Sequence, residues 1–333
     1  MAIGKRIVFL DVTTPGLRAA FSAHLPSGFE LTFAEADTEE RMAAAVADAD
    51  YVLVWAAKMP AKVMEAAGRV RLIQKIGEGT DRLDVPTAAR MGIPVAKTTG
   101  ASSTAVAEAA TMLILSTLRW LPNLHNAVVA GRFPKFEYRD TSYELRGKQV
   151  GLIGTGKIGR IVAEHMKGFG ASLVYCDVVR MSSEDEARLR ARLVPLQELL
   201  RTSDVISIHV PLTSSTRGMI GSRALSLMKP TAILVNTCRG PVVDEQALCE
   251  ALKEKRIRGA GIDALWQEPP EPNSPLLRLD NVVLMPHCAA GTVDAQMESI
   301  RHGYANIVKC DRGELLSPED LVQVVQSAAP ALV

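Results

Sequence analysis

Short apolar runs alternate with amphipathic stretches along almost the whole chain, and that alternation limits what the chain can fold into. Runs at 7–10, 51–55, 72–76 and 93–96 have the length of buried strands, and helix-like segments at 39–49, 62–68 and 85–91 lie between them. Antiparallel neighbours can be joined by two residues, whereas parallel neighbours need a crossover of about a dozen or more. The spacing therefore predicts βαβ units and a parallel sheet in the first ~100 residues. A second series begins at Gln149, with strands expected at 150–153, 172–175, 205–209, 232–236, 259–262 and 282–285. Helices are expected at 157–168, 196–201, 222–228 and 244–255. Between the two series, 102–118 reads as a helix rich in Ala, Leu and Met, with Ser102, Ser103 and Thr104 as N-cap candidates. Residues 132–146, with Phe133, Phe136, Tyr138 and Tyr143, read as an extended arm, and a last helix is expected at 293–310 before a short polar tail.

Composition narrows the function classes. At 333 residues the chain is long enough for about two domains. Lys and Arg number 38 against 37 Asp and Glu, so the basic excess expected of a nucleic-acid or anionic-membrane binder is missing. The apolar run at 112–115 is cut by Ser116 and Arg119, far short of the ~18 residues of a membrane span. The apolar stretch 7–10 meets Asp11, which is too short for a secretory core of ~7–15 residues. The expectation is a cytoplasmic protein with neither nucleic-acid nor membrane partners. Five scattered cysteines, without CxxC or His/Cys metal spacing, predict neither a disulfide framework nor a metal site.

The second series opens on a strand running into Gly154-Thr155-Gly156-Lys157-Ile158-Gly159. In such a GxGxxG loop the first glycine permits a tight turn, the second lets backbone approach a pyrophosphate, and the third lets helix and sheet pack closely. The following helix offers free N–H groups and the positive end of its dipole. Asp177 ends the next strand, where a carboxylate accepts ribose hydroxyls and repels a 2′-phosphate, so NAD is favoured over NADP. Arg180 nearby weakens that preference.

Three later strand ends carry Asn236-Thr237-Cys238-Arg239-Gly240, Asp263-Ala264-Leu265-Trp266-Gln267-Glu268 and Pro286-His287-Cys288. With 144–148, 209–213, 216–220 and 279–283, and with Gly77-Glu78-Gly79-Thr80-Asp81, 92–95 and 106–108 earlier, they make the chain resemble the D-isomer-specific 2-hydroxyacid dehydrogenases over nearly its whole length. The resemblance implies an NAD-dependent oxidoreductase that moves hydride between NAD(H) and a small 2-oxo or 2-hydroxy acid of glyoxylate, hydroxypyruvate or pyruvate type. It implies an α/β fold of two Rossmann-like, doubly wound parallel-sheet domains with the active site in a cleft between them. The substrate domain would be 1–100 plus 293–333, and the NAD-binding domain 101–292. The helix at 102–118 and the arm at 120–146 would form a homodimer. His287 would be the acid/base, Glu268 would stabilise its imidazolium, and Arg239 would hold the substrate carboxylate with its planar donor fork. Backbone N–H groups of Glu78 and Gly79 would receive the same carboxylate. Besides the glycine loop and Asp177, the resemblance implies cofactor contacts from Thr104, His209, Pro211, Thr216, Thr237, Cys238, Arg239, Asp263 and His287, with Asp263 near the nicotinamide amide.

Departures from the family pattern concern the substrate. Glu78 stands where the family has a small or apolar residue, and its carboxylate is expected to disfavour a second anionic group by Coulomb repulsion. Ser102 stands where an Asn is common. Glu268 argues against a formate dehydrogenase, which has Gln there, and Glu78 against a phosphite dehydrogenase, which has Lys. Two alternatives stay open. One is a phosphoglycerate dehydrogenase, although the chain ends before the regulatory domain such enzymes often add. The other is an NAD-gated binding module like the corepressors of the C-terminal-binding-protein type.

Overall fold

The structure, a computed structural model, describes residues 4–34 and 38–322. Within them the chain divides into two compact units: residues up to Ser102 together with those from Thr292 onward, and Ser103–Gly291. The part of the expected tail beyond 322 lies outside the described residues.

The first unit runs β1 (Lys5–Phe9), α1 (Pro15–Ala23), β2 (Phe29–Phe33), α2 (Glu39–Val46), β3 (Tyr51–Val54), α3 (Ala61–Ala66), β4 (Leu72–Lys75), α4 (Val85–Arg90) and β5 (Val95–Lys97). The strands form a parallel sheet in the order β2-β1-β3-β4-β5. β3 and β4 are buried on both faces, which is why β3 reads as a continuous apolar run, while β4 also buries Gln74 and Lys75. β2 and α1 were not anticipated. β2 is an edge strand whose Phe29, Leu31 and Phe33 alternate with Glu30 and Thr32, so it offers no continuous run. α1 starts on a Thr14 cap that accepts from Leu17 N at 3.3 Å, with Pro15 in its first turn. The helix Val293–Asp311 covers one face, with Ile300, Tyr304 and Ile307 in a core with Phe9, Phe21 and Leu72.

The second unit runs α5 (Ser103–Arg119), α6 (Leu121–Val129), β6 (Gln149–Ile153), α7 (Lys157–Gly168), β7 (Ser172–Cys176), α8 (Ser183–Leu189), β8 (Ala191–Leu193), α9 (Leu196–Thr202), β9 (Val205–Ile208), α10 (Ser222–Leu225), β10 (Ile233–Asn236), α11 (Glu245–Lys253), β11 (Gly259–Ile262) and β12 (Val282–Leu284). Its parallel sheet has the order β12-β11-β10-β9-β6-β7-β8. The chain moves outward from β6 to β8, then returns to β9 on the other side of β6. Strand order thus reverses between β6 and β9, and ligands of open α/β sheets bind at the carboxyl ends beside such a switch point. Here too the additions to the expected pattern are an edge strand, β8, and the short helices α6 and α8. Residues 132–146 form turns rather than an extended strand. No helix of the described residues is long and apolar enough to cross a membrane, and the five cysteines are free.

Arg258 holds the turn segment against the sheet. Its guanidinium donates to the carbonyls of Thr141 (2.8 Å), Thr117 (2.9 Å) and Leu118 (3.0 Å). It also lies 4.9 Å from the Trp120 ring centroid and 5.2 Å from that of Tyr143. Burial lowers its pKa to about 10, so it stays charged at neutral pH. Arg258→Ala removes three hydrogen bonds and two cation–π contacts, although Tyr143 N still donates to the Leu118 carbonyl and Trp120 Nε1 to that of Thr141, so it should cost ~2–4 kcal/mol. Thermal unfolding checks this, with Arg258→Lys recovering only part because an ammonium lacks the planar fork.

His209, just past β9, keeps some surface, but its Nδ1 is sealed from solvent and burial lowers the ring's pKa from 6.5 to about 4. The folded protein therefore binds this proton less readily than the unfolded chain does. Stability is unaffected above about pH 6.5 and falls as pH drops from there toward 4. Urea titrations without cofactor should show about 1–2 kcal/mol of this loss between pH 7 and 5. The loss should be smaller by that amount in His209→Gln.

Candidate active site

The glycine loop joins β6 to α7 at the switch point. Gly154 has φ +92°, and a Cβ there would stand 2.5 Å from the His209 carbonyl oxygen. A Cβ on Gly159 would stand 2.2 Å from the Gly154 carbonyl oxygen. These two glycines are therefore required by backbone approaching backbone. Gly156 differs, since a Cβ there would meet nothing within 4 Å. Gly156 is also the N-cap of α7 and supplies no side-chain cap, which leaves the first-turn N–H groups without that partner. Open space before a helix N-terminus suits a pyrophosphate.

The surrounding groups fit a dinucleotide. Asp177, at the end of β7, accepts from Thr155 N (2.6 Å) and Thr155 Oγ1 (3.0 Å), which ties the adjacent strand end to the glycine loop. Arg180 lays its fork on Glu186, with both contacts at 2.9 Å. The His209 ring meets Ser207 Oγ at 2.9 Å through Nε2. Its Nδ1 and Thr237 Oγ1 are buried without a hydrogen-bond partner among the described residues. Thr216 Oγ1 donates to the Pro211 carbonyl at 2.6 Å, which fixes the loop after β9. The Cys238 thiol points back to Asn236 Oδ1 (3.0 Å), and burial raises its pKa to about 11, so it is protonated. Thr104 lies exposed in the first turn of α5.

Arg239, Glu268 and His287 follow β10, β11 and β12, which adjoin one another in the sheet. The fully buried Asn236 shapes the Arg239 turn, donating to the Arg239 carbonyl (2.9 Å) and accepting from Cys238 N (3.0 Å). Arg239 Nη1 donates to the Cys238 carbonyl at 2.7 Å. His287 Nδ1 lies 2.7 Å from Glu268 Oε1. A carboxylate only accepts, so the contact places a proton on Nδ1 and leaves Nε2 clear of Glu268.

His287 has φ +53°, in the left-handed region that side chains with a Cβ rarely adopt. Asp263, 1 % exposed, holds it there. The Asp263 carboxylate accepts from Cys288 N (2.8 Å) and Ala289 N (3.1 Å), while the Asp263 carbonyl accepts from His287 N (2.8 Å). Residues 287–289 thus all donate their N–H groups to Asp263, two of them to its buried carboxylate.

In the first unit, Gly77 has φ +104° and donates its N–H to Thr98 Oγ1 at 2.7 Å. The Glu78 carboxylate lies 3.1 Å from Lys97 Nζ and accepts from Gly100 N at 2.6 Å. A cation and a backbone N–H thus occupy the two oxygens of the Glu78 carboxylate. Asn236 and Lys97 were not anticipated as site-shaping residues. A polar residue ending a buried strand was the available signal for Asn236, and a lysine where the family has an Asn was the signal for Lys97.

Residues 111–289 match the model of the D-isomer specific 2-hydroxyacid dehydrogenase NAD-binding domain. The chain is 39% identical over 260 residues to a glyoxylate reductase of Thermofilum pendens, covering 78% of this chain and 77% of that one. It is 38% identical over 240 residues to a D-3-phosphoglycerate dehydrogenase of Archaeoglobus fulgidus, covering 72% of this chain and 45% of the relative. An acyclic imino acid reductase solved in complex with NADPH and D-arginine superposes with a TM-score of 0.83 at 27% identity, covering 96% of this chain and 100% of that one. The chain belongs to the D-isomer-specific 2-hydroxyacid dehydrogenases, oxidoreductases that act on a CH–OH group and carry an NAD-binding domain.

Proposed function

We propose that this protein interconverts a small 2-oxo monocarboxylic acid, of glyoxylate, hydroxypyruvate or pyruvate type, with its 2-hydroxy acid, using NAD(H) in preference to NADP(H). The observation that carries the reading is the 2.7 Å contact between His287, after β12, and Glu268, after the adjoining β11, with Arg239 after β10 next in the sheet. Bound NAD(H) supplies the hydride chemistry. In the reducing direction His287 Nε2 delivers the proton to the carbonyl oxygen, and in the oxidising direction it removes the hydroxyl proton. Glu268 keeps the ring in one tautomer and stabilises the imidazolium. Arg239 clamps the substrate carboxylate with its fork, and the backbone N–H groups of Glu78 and Gly79 bind the same group. Asp263 acts near the nicotinamide amide and through the His287 loop it anchors.

On this reading the loop Gly154, Thr155, Gly156, Lys157, Ile158 and Gly159 holds the pyrophosphate, and Asp177 takes the adenosine ribose. His209, Pro211, Thr216, Thr237, Cys238 and Thr104 line the cofactor. The preference for NAD is supported by Asp177 and by Arg180 being engaged on Glu186. A homodimer is supported by apolar side chains bared on α6 and beyond it, with Val129, Phe133 and Phe136 at 74%, 81% and 65% exposed. A cytoplasmic location belongs to the same reading. The 38% identical D-3-phosphoglycerate dehydrogenase supports a phosphorylated substrate as the second reading. The Glu78 carboxylate opposes it.

Two measurements test the proposal. NADH oxidation should proceed with glyoxylate, hydroxypyruvate or pyruvate. His287→Ala should lower kcat by about 10²–10⁴ while NADH still binds. Loss of NADH binding in that variant, or no turnover by the wild type, would count against the assigned roles. Asp177→Ser should shift the kcat/KM ratio toward NADPH by about tenfold or more, because it removes a charge that repels the 2′-phosphate. An unchanged ratio would reject Asp177 as the discriminator.

A further inference from the structure

Two loops at the carboxyl edge of the first sheet are tied to each other. Gly77 N donates to Thr98 Oγ1, whose residue is fully buried, and Gly100 N donates to Glu78 Oε1. Glu78 Oε2 takes the Lys97 ammonium at 3.1 Å. The same segment carries a second ammonium, Lys75, directed at the carbonyls of Trp55 and Ile76, each at 2.5 Å. The Lys97–Glu78 pair is partly exposed, with side-chain exposures of 27% and 35%, so water screens it only in part.

From this arrangement we propose that Glu78 sets substrate charge selectivity. It occupies Lys97, a cation on the strand next to the one that leads into Gly77–Gly79, and so deprives a second anionic group on the substrate of its partner. The inference rests on the function proposed above and goes further, assigning selectivity to the ion pair rather than to repulsion by Glu78 alone. Glu78 has a separable second role as a positioning residue, because its Oε1 holds Gly100. A Gln at 78 keeps an acceptor for Gly100 N but releases Lys97. An Ala removes both functions.

The test measures kcat/KM for 3-phosphohydroxypyruvate and oxaloacetate relative to glyoxylate, in wild type, Glu78→Gln, Glu78→Ala, Lys97→Met and the Glu78→Gln/Lys97→Met double variant. Glu78→Gln should raise the dianion-to-monoanion ratio about tenfold, and the double variant should return it to within about threefold of wild type. Raised salt should shrink the Glu78→Gln gain. Glu78→Ala should raise the KM for glyoxylate more than Glu78→Gln does, without changing the KM for NADH. Lys97→Met should lower the ratio below wild type, because it leaves Glu78 uncompensated, and this keeps the test decisive if Glu78→Gln does not fold. A ratio within twofold of wild type in Glu78→Gln, or a gain that persists in the double variant, overturns the proposal while leaving the proposed reaction standing. A wild type inert to every 2-oxo acid overturns that reaction first.

Discussion

Parallel pairing is the constraint from which the rest follows. Every strand in both sheets runs the same way as its neighbours, so each returns through a crossover and each sheet gathers its carboxyl-end loops along one edge. The inner strands are largely apolar and buried, and most have no room for chemistry. Polar groups collect where the strands stop: Asp177 after β7, His209 after β9, Arg239 after β10, Asp263 after β11 and His287 after β12. Adjacency in the sheet, rather than nearness in sequence, brings the last three together.

That edge is organised by a few buried polar groups that spend their hydrogen bonds on backbone. Asp263 satisfies the N–H groups of the loop that places His287 in a left-handed conformation. Such a conformation costs of order 1–3 kcal/mol and persists only when the surroundings over-determine it. Asn236 does the same for the Arg239 turn. Thr155 and Asp177 link the glycine loop to the next strand. The side chains at that edge are thus aimed by neighbours whose own hydrogen bonds go to backbone.

Legibility in the sequence followed burial. Strands covered on both faces, such as β3, β6 and β10, stand out as apolar runs between helical stretches. The edge strands β2 and β8 do not, because β2 alternates and β8 has three residues, two of them exposed. The helix α6 follows a left-handed Trp120 that serves as a cap without a side-chain bond, so no Ser, Thr, Asp or Asn signal announces it. Glu78 was conspicuous as a charged residue between two glycines, but its partner Lys97 lies nineteen positions away, and nothing in either segment alone points to the other.

The chain by itself determined the parallel α/β class and the glycine loop, because these rest on local periodicity and turn chemistry, and its family resemblance singled out Arg239, Glu268 and His287. Tertiary structure alone decided the hydrogen bond between His287 and Glu268, the grip of Asp263 on the histidine loop, the engagement of Arg180 by Glu186 and the neutralisation of Glu78 by Lys97. The reason is physical. A charge is defined by what stands within a few ångströms of it, and those neighbours come from strands that the sheet, rather than the sequence order, places side by side.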